Sequence, residues 1–135
     1  MALPTDAKDR KAIPLCNGVL DYFPRALAEI AKVSRIGNDQ HNPGQPLHWS
    51  KEKSYDHPNT MLRHMIERGT IDTDKARHSA KLAWRALANL EVEILAEEGD
   101  EIAIKQVMEI GTAEQKAHLQ SVLAARGLTN ASSVG

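Results

Sequence analysis

Cysteine is nearly absent: Cys16 is the only one in the 135 residues. A single thiol closes no internal disulfide, so the fold is not a stapled scaffold, and a reducing compartment is expected. Cys16 reads as a small buried hydrophobe. Aromatic residues make up 4%, and Ala and Leu dominate the apolar set, which favours helices over sheets because neither loses much side-chain freedom in a helix. The net charge is −1, so no basic field recruits a nucleic-acid backbone. No apolar run reaches membrane-span length, and MALPTDAKDRK lacks the apolar core of a signal peptide. The expectation is a cytoplasmic protein with neither a membrane nor a nucleic-acid partner. Three common catalytic signatures are also missing: the GxxxxGK[ST] phosphate loop, GxSxG and HExxH. No His-Asp dipeptide is present, which removes HD-type phosphohydrolase chemistry.

Histidine, by contrast, is concentrated. Five of the six histidines (His41, His48, His57, His64 and His78) lie between Gly37 and Trp84, with both tryptophans. Before this stretch, residues 1–14 read as an extended polar arm carrying Arg10 and Lys11. Leu15–Asp21 reads as a helical turn. Phe23-Pro24 opens a helix, since proline suits the first helical position, and Gly37 is expected to stop it. Asn38 to Pro58 then reads as a loop, long enough to be functional. Its Asn38, Gln40, His41 and Trp49 are candidate ligand contacts, although Asn and Gln also hold long loops in shape.

The next helix runs from Pro58 to Gly69, with Met61, Leu62, Met65 and Ile66 as its expected buried face. The longest helix is expected to begin at Asp74 and to close at Gly99, with Leu82, Leu87, Leu90, Ile94 and Leu95 at helical spacing. Trp84 on it reads as core. Two short helices follow. The first spans Asp100 to Ile110, and the second starts at Thr112, where Gln115 completes a capping box. The tail from Leu128 is expected to fray. By size this is one domain, with residues 1–99 as a catalytic helical domain. Residues 100–135 form a helical extension on the same domain or on a neighbouring subunit. Val92, Leu90, Ile94 and Leu95 point to more than one face of the long helix, which suggests a homo-oligomer.

The chemical signal lies where the two central helices meet. His64 and Glu67 are three apart on one, and Asp74 and His78 are expected four apart on the other. Imidazoles and carboxylates projecting from facing helices are a common way to hold a divalent metal. The candidate ligands are therefore His64, Glu67, Asp74 and His78, with Glu29 and Asp39 from the preceding helix and loop. Asp74 also sits where an N-cap is expected. Lys81 and Arg85 extend positive charge from the site, which suits a polyphosphate.

The runs QHNPGQPLHW and RHSAKLAWRAL, with RKAIPL, YFPRALAEIAKVS and LRHMIERGTIDTD, resemble the phage-encoded dATP/dGTP diphosphohydrolase family. That family is related to the MazG-like nucleoside triphosphate pyrophosphohydrolases. The resemblance covers about Arg10 to Leu95. It implies an all-α helical bundle, Mg²⁺ or Mn²⁺, a dimer or tetramer, and hydrolysis of a purine deoxynucleoside triphosphate to monophosphate and pyrophosphate. dGTP is the favoured substrate, with dATP or GTP as alternatives. The ExxE…ExxD pattern of the wider superfamily is absent from the central region, and His64xxGlu67 with Asp74xxxHis78 stands in its place. Under this reading Glu67, Asp74 and Lys81 serve catalysis, while Asn38, Gln40, His41, Trp49, Lys81 and Arg85 bind substrate. The alternative is a non-catalytic helical nucleotide-binding or assembly module.

Overall fold

The computed structural model describes residues 3–128. The tail expected to fray lies almost wholly outside them. Every regular element among the described residues is helical, so the chain is all-α. Helix α1 spans Ala7–Lys11, α2 Pro24–His41, α3 His57–Ile66, α4 His78–Glu97, α5 Glu101–Ile110 and α6 Ala113–Ala125, with a π-helical turn over Cys16–Leu20. The long helix α4 is central, and α2, α3, α5 and α6 all pack against it.

Several boundaries follow local chemistry. Asp100 and Thr112 cap α5 and α6, their side chains accepting from the N–H groups of Ala103 and Gln115. Gly99, at φ +95°, ends α4 in a conformation that other residues adopt at a cost. Gly111 also follows its helix closely, and a Cβ there would meet the Val107 carbonyl at 2.5 Å.

Other expectations need correction. The arm contains α1, because Asp6 accepts from Asp9 N–H and caps a helical turn. Helix α2 does not stop at Gly37. It continues through Asn38, Asp39 and Gln40 to His41, since a mid-helix glycine costs only about 1 kcal/mol and Asn38 is buried. Helix α4 begins at His78 rather than Asp74. Residues Asp72 to Ala76 instead make a tight turn closed by an isolated bridge between Ile71 and Arg77, with Lys75 at φ 73°. Cys16 is exposed.

The main apolar core lies in the C-terminal half. Val92 and Ala96 of α4 meet Ala103, Ile104, Val107, Leu119 and Leu123 of α5 and α6. The extension thus packs on its own chain and shares the core of the preceding segment. The α3–α4 contact buries small and polar residues, among them His57, Thr60, His78 and Ala80. The expected buried face of α3 points outward, with Leu62 64% and Ile66 78% exposed. On α4, Leu87, Leu90 and Ile94 are likewise exposed, and Ala88, Val92 and Ala96 form the buried stripe.

Candidate active site

A cleft of about 750 Å³ opens between the C-terminal half of α2, the segment that follows it, and the first turns of α4. That volume falls in the range of small-molecule sites. Asn38, Gln40, His41, Trp49, His64, Asp74, Lys81 and Arg85 all line it. Glu67 and His78 stand behind it, reached through His64. Glu29 and Asp39 are elsewhere. Glu29 pairs with Lys32 at 2.9 Å and lies 4.0 Å from Arg77, while Asp39 faces Arg35 at 3.7 Å on an exposed surface.

The irregular segment 42–56 is held at both sides. Asn38 uses both ends of its buried amide, donating to the Gln45 carbonyl (3.0 Å) and accepting from His48 N–H (3.2 Å). It therefore shapes the segment, the structural role that asparagine often plays in long loops. On the far side Gln106 donates to the Lys51 carbonyl at 2.7 Å, Lys51 meets Asp100 at 3.4 Å, and the Tyr55 hydroxyl donates to Glu109. Helix α5, which carries no chemistry of its own in the sequence, is thus what fixes the wall of the cleft.

That wall carries Trp49, packed edge to face on Trp84 with ring centroids 5.7 Å apart. Trp84 donates its indole N–H to Ser34 Oγ at 2.8 Å, joining α4 to α2. It lines the cleft as well as filling space, so its assignment to the core alone misses half its role. The Arg85 guanidinium lies 5.7 Å from the centroid of the Trp84 ring. It donates to His57 Nδ1 at 3.2 Å and to the Ser54 carbonyl at 3.3 Å. No carboxylate lies within ion-pair distance of Arg85 among the described residues. Burial, then the charge of Arg63, pulls its pKa below the ordinary value against the opposing charge of Asp56.

Lys81 has the opposite environment. Its ammonium sits 2.6 Å from both Asp72 and Asp74, and Gln40 donates to the same Asp74 oxygen at 3.4 Å. The hydrogen bond from Lys81 is the main reason that Asp72 is held down to about 2 and that Asp74 is also lowered. The turn aims both carboxylates. Asp74 Oδ1 accepts from Ala76 N–H at 3.0 Å, and Asp72 Oδ1 accepts from Thr73 N–H at 2.7 Å. Asp74 therefore caps a turn, not a helix. Asp72 takes no part in the sequence-based site, although the Asp-x-Asp spacing ahead of a lysine is a signal that could have found it.

The third group is a chain of three side chains. Glu67 Oε2 lies 2.9 Å from His78 Nε2, and His78 Nδ1 lies 3.0 Å from His64 Nδ1. His78 is buried, so both its ring nitrogens have partners inside the protein. Burial, then the neighbouring His78 and Lys81, lowers the His64 pKa against the opposing effect of Asp72.

These contacts bear on the metal expectation. His78 joins Glu67 and His64 in a line, not around a point, and the Lys81 ammonium stands between Asp72 and Asp74 where a bridging cation would lie. Among the described residues no three His, Cys, Asp or Glu side chains converge on one position. In this arrangement the side chains do not fit a resident metal. Among the described residues, no helix is long and apolar enough to cross a membrane. Comparison with known proteins gives no match to a family model, a curated protein or a solved structure.

Proposed function

We propose that the cleft binds a purine deoxynucleoside triphosphate, with dGTP as the first candidate, and hydrolyses it to the monophosphate and pyrophosphate. The observation that carries this reading is Arg85. A half-buried guanidinium with no carboxylate within ion-pair distance, beside Trp84 in the lining of the cleft, calls for an anionic ligand. Each ring of the edge-to-face tryptophan pair in the lining has an apolar face on which a base could stack. Arg63 and Lys53 add positive charge near Arg85 and at the rim. The polar groups of Gln40 and His41 lie within the same lining, available to a base edge or sugar.

The resemblance to the diphosphohydrolase family supports the reaction type. The nucleotide would arrive as its Mg²⁺ or Mn²⁺ complex, because Mg²⁺ is commonly held by substrate phosphates and water with few protein ligands. The ion then belongs to the substrate. The protein's part is to hold the phosphates, stack the base and exclude bulk water from the reacting phosphorus.

A nucleotide panel with product identification tests this. dGTP with Mg²⁺ or Mn²⁺ should yield dGMP and pyrophosphate. Binding of the panel with no turnover would favour a nucleotide-binding module. Tripolyphosphate with free nucleoside would overturn the reaction type.

A further inference from the structure

We infer that His64 is the general base that activates the attacking water, and that Glu67 and His78 are positioning residues which fix its tautomer. This rests on the pyrophosphohydrolase reading above and assigns the proton acceptor for it.

An ionised carboxylate only accepts, so the 2.9 Å contact of Glu67 with His78 Nε2 places a proton on that nitrogen. A neutral His78 then presents a lone pair at Nδ1. The 3.0 Å contact between the two Nδ1 atoms therefore requires that His64 donate from its own Nδ1. A neutral His64 carrying its proton at Nδ1 has its lone pair at Nε2. No hydrogen-bond partner for Nε2 exists among the described residues, and His64 lines the cleft. A carboxylate thus sets, through one buried ring, which nitrogen of a second ring is basic. The rings are tilted by 37° with centroids 5.2 Å apart, so they meet at their edges without stacking.

The step balances without a further reagent. His64 Nε2 takes a proton from water as the water oxygen bonds to the α-phosphorus. The bond from that phosphorus to the α–β bridging oxygen breaks, and pyrophosphate leaves with the electron pair. The imidazolium formed at His64 donates to His78, and the Glu67 carboxylate stabilises the charge through that ring. The proton returns to solvent before the next turnover.

The charged and titratable neighbours of His64 are known. Arg63 lies on its own helix and Glu67 at the C-cap of that helix, His78, Lys81 and Arg85 on α4, and Asp72 and Asp74 on the turn. Lys53, His41 and His48 lie around the cleft. Lys81 is saturated by its two aspartates, and Arg85 stays protonated at any working pH. Histidine is thus the group whose protonation should govern the rate in the acid range.

Three measurements test the proposal. Side-chain ¹⁵N NMR of the wild-type protein should find His64 protonated at Nδ1 and His78 at Nε2. Finding His64 protonated at Nε2 overturns the relay whatever the substrate. With dGTP and Mg²⁺, His64→Gln should lower kcat by about 10²–10⁴. It should change the affinity for an α,β-methylene analogue of dGTP by less than about threefold. Glu67→Gln keeps the size of the side chain but removes the charge. It should lower kcat about tenfold and move the acid limb of the kcat–pH profile to lower pH, while Glu67→Asp retains most of the rate. Near-wild-type turnover in His64→Gln, with an unaltered acid limb, places the base elsewhere and leaves the cleft assignment intact. A wild-type protein that neither binds the analogue nor releases pyrophosphate overturns the functional reading and this one together, and the NMR still reports whether the relay exists.

Discussion

Arg85 donates to Nδ1 of His57 across 3.2 Å, an arrangement in which the buried imidazole is neutral. Burial first, and the Arg85 charge second, depress the His57 pKa to about 4, with Asp56 opposing. The unfolded chain takes up a proton at this residue near pH 6.5, while the folded chain takes it up only near 4. Stability from His57 is therefore complete above pH 6.5 and is lost as pH falls toward 4. The effect is on the order of 3 kcal/mol. His57→Phe should flatten this part of the pH dependence. Thermal melts of wild type and variant at pH 7, 5.5 and 4.5 check it. Equal slopes would show that His57 does not titrate with folding.

Lys81 holds two carboxylates that would otherwise repel each other. In Lys81→Met, Asp72 and Asp74 should both titrate at higher pH than in the wild type, read by carboxyl ¹³C shifts. Depressed carboxylate pKa values stabilise the fold above the ordinary value of 3.8, and that contribution fades as pH falls through about 2 for Asp72. The variant should therefore lose stability at neutral pH and show a weaker acid dependence. Turnover of dGTP should fall on the order of 10², because the two carboxylates would then stand unneutralised beside the anionic substrate. Asp74→Asn, which keeps the acceptor for Ala76 N–H, should fold normally and isolate the electrostatic part.

Trp49 is the side chain best placed to report a base. Titration with dGTP should change the tryptophan fluorescence. Trp49→Ala should weaken nucleotide binding by about 1–3 kcal/mol, the usual worth of a base–aromatic stack. Trp49 also packs against the C-terminal core, so Trp49→Phe serves as the folded control and should retain most of the affinity. Unchanged binding in Trp49→Ala would move the base to another part of the cleft.

Leu62, Met65 and Ile66 on α3 and Leu87, Leu90 and Ile94 on α4 are all exposed. Two neighbouring helices with outward apolar stripes fit a homo-oligomer, a dimer or tetramer. Sedimentation at micromolar concentration should give a species larger than a monomer. Leu90→Glu should shift it toward the monomer without loss of helical signal. A wild-type protein that sediments only as a monomer refutes the interface.

The all-α class, the starts of α5 and α6 and the stop at Gly99 were legible because each depends on contacts a few residues apart. Capping by Asp100 and Thr112 reaches three residues along the chain, within the range that sequence patterns report. Apolar periodicity located the helices but not their inward faces. A stripe of Leu87, Leu90 and Ile94 has the same spacing whether it meets a core or another subunit, and only the position of α5 and α6 assigned the buried side to Val92 and Ala96.

The residue types of the cleft were also legible. Gln40, His41, Trp49, Lys81 and Arg85, named from the sequence, do line one cavity. Their partners were not, because those bonds join residues far apart in the chain: His64 with His78, Arg85 with His57, Gln40 with Asp74, and Gln106 with the Lys51 carbonyl. Helical spacing set Asp74 and His78 on one face of α4. The bridge between Ile71 and Arg77 and the positive φ of Lys75 turned Asp74 toward Lys81 instead. The sequence thus determined which chemistry is present. Tertiary packing alone decided which groups neutralise each other, that Arg85 has no carboxylate within ion-pair distance, and which nitrogen of His64 meets His78. Those outcomes depend on distances of about 3 Å between separate helices, and no local pattern encodes them.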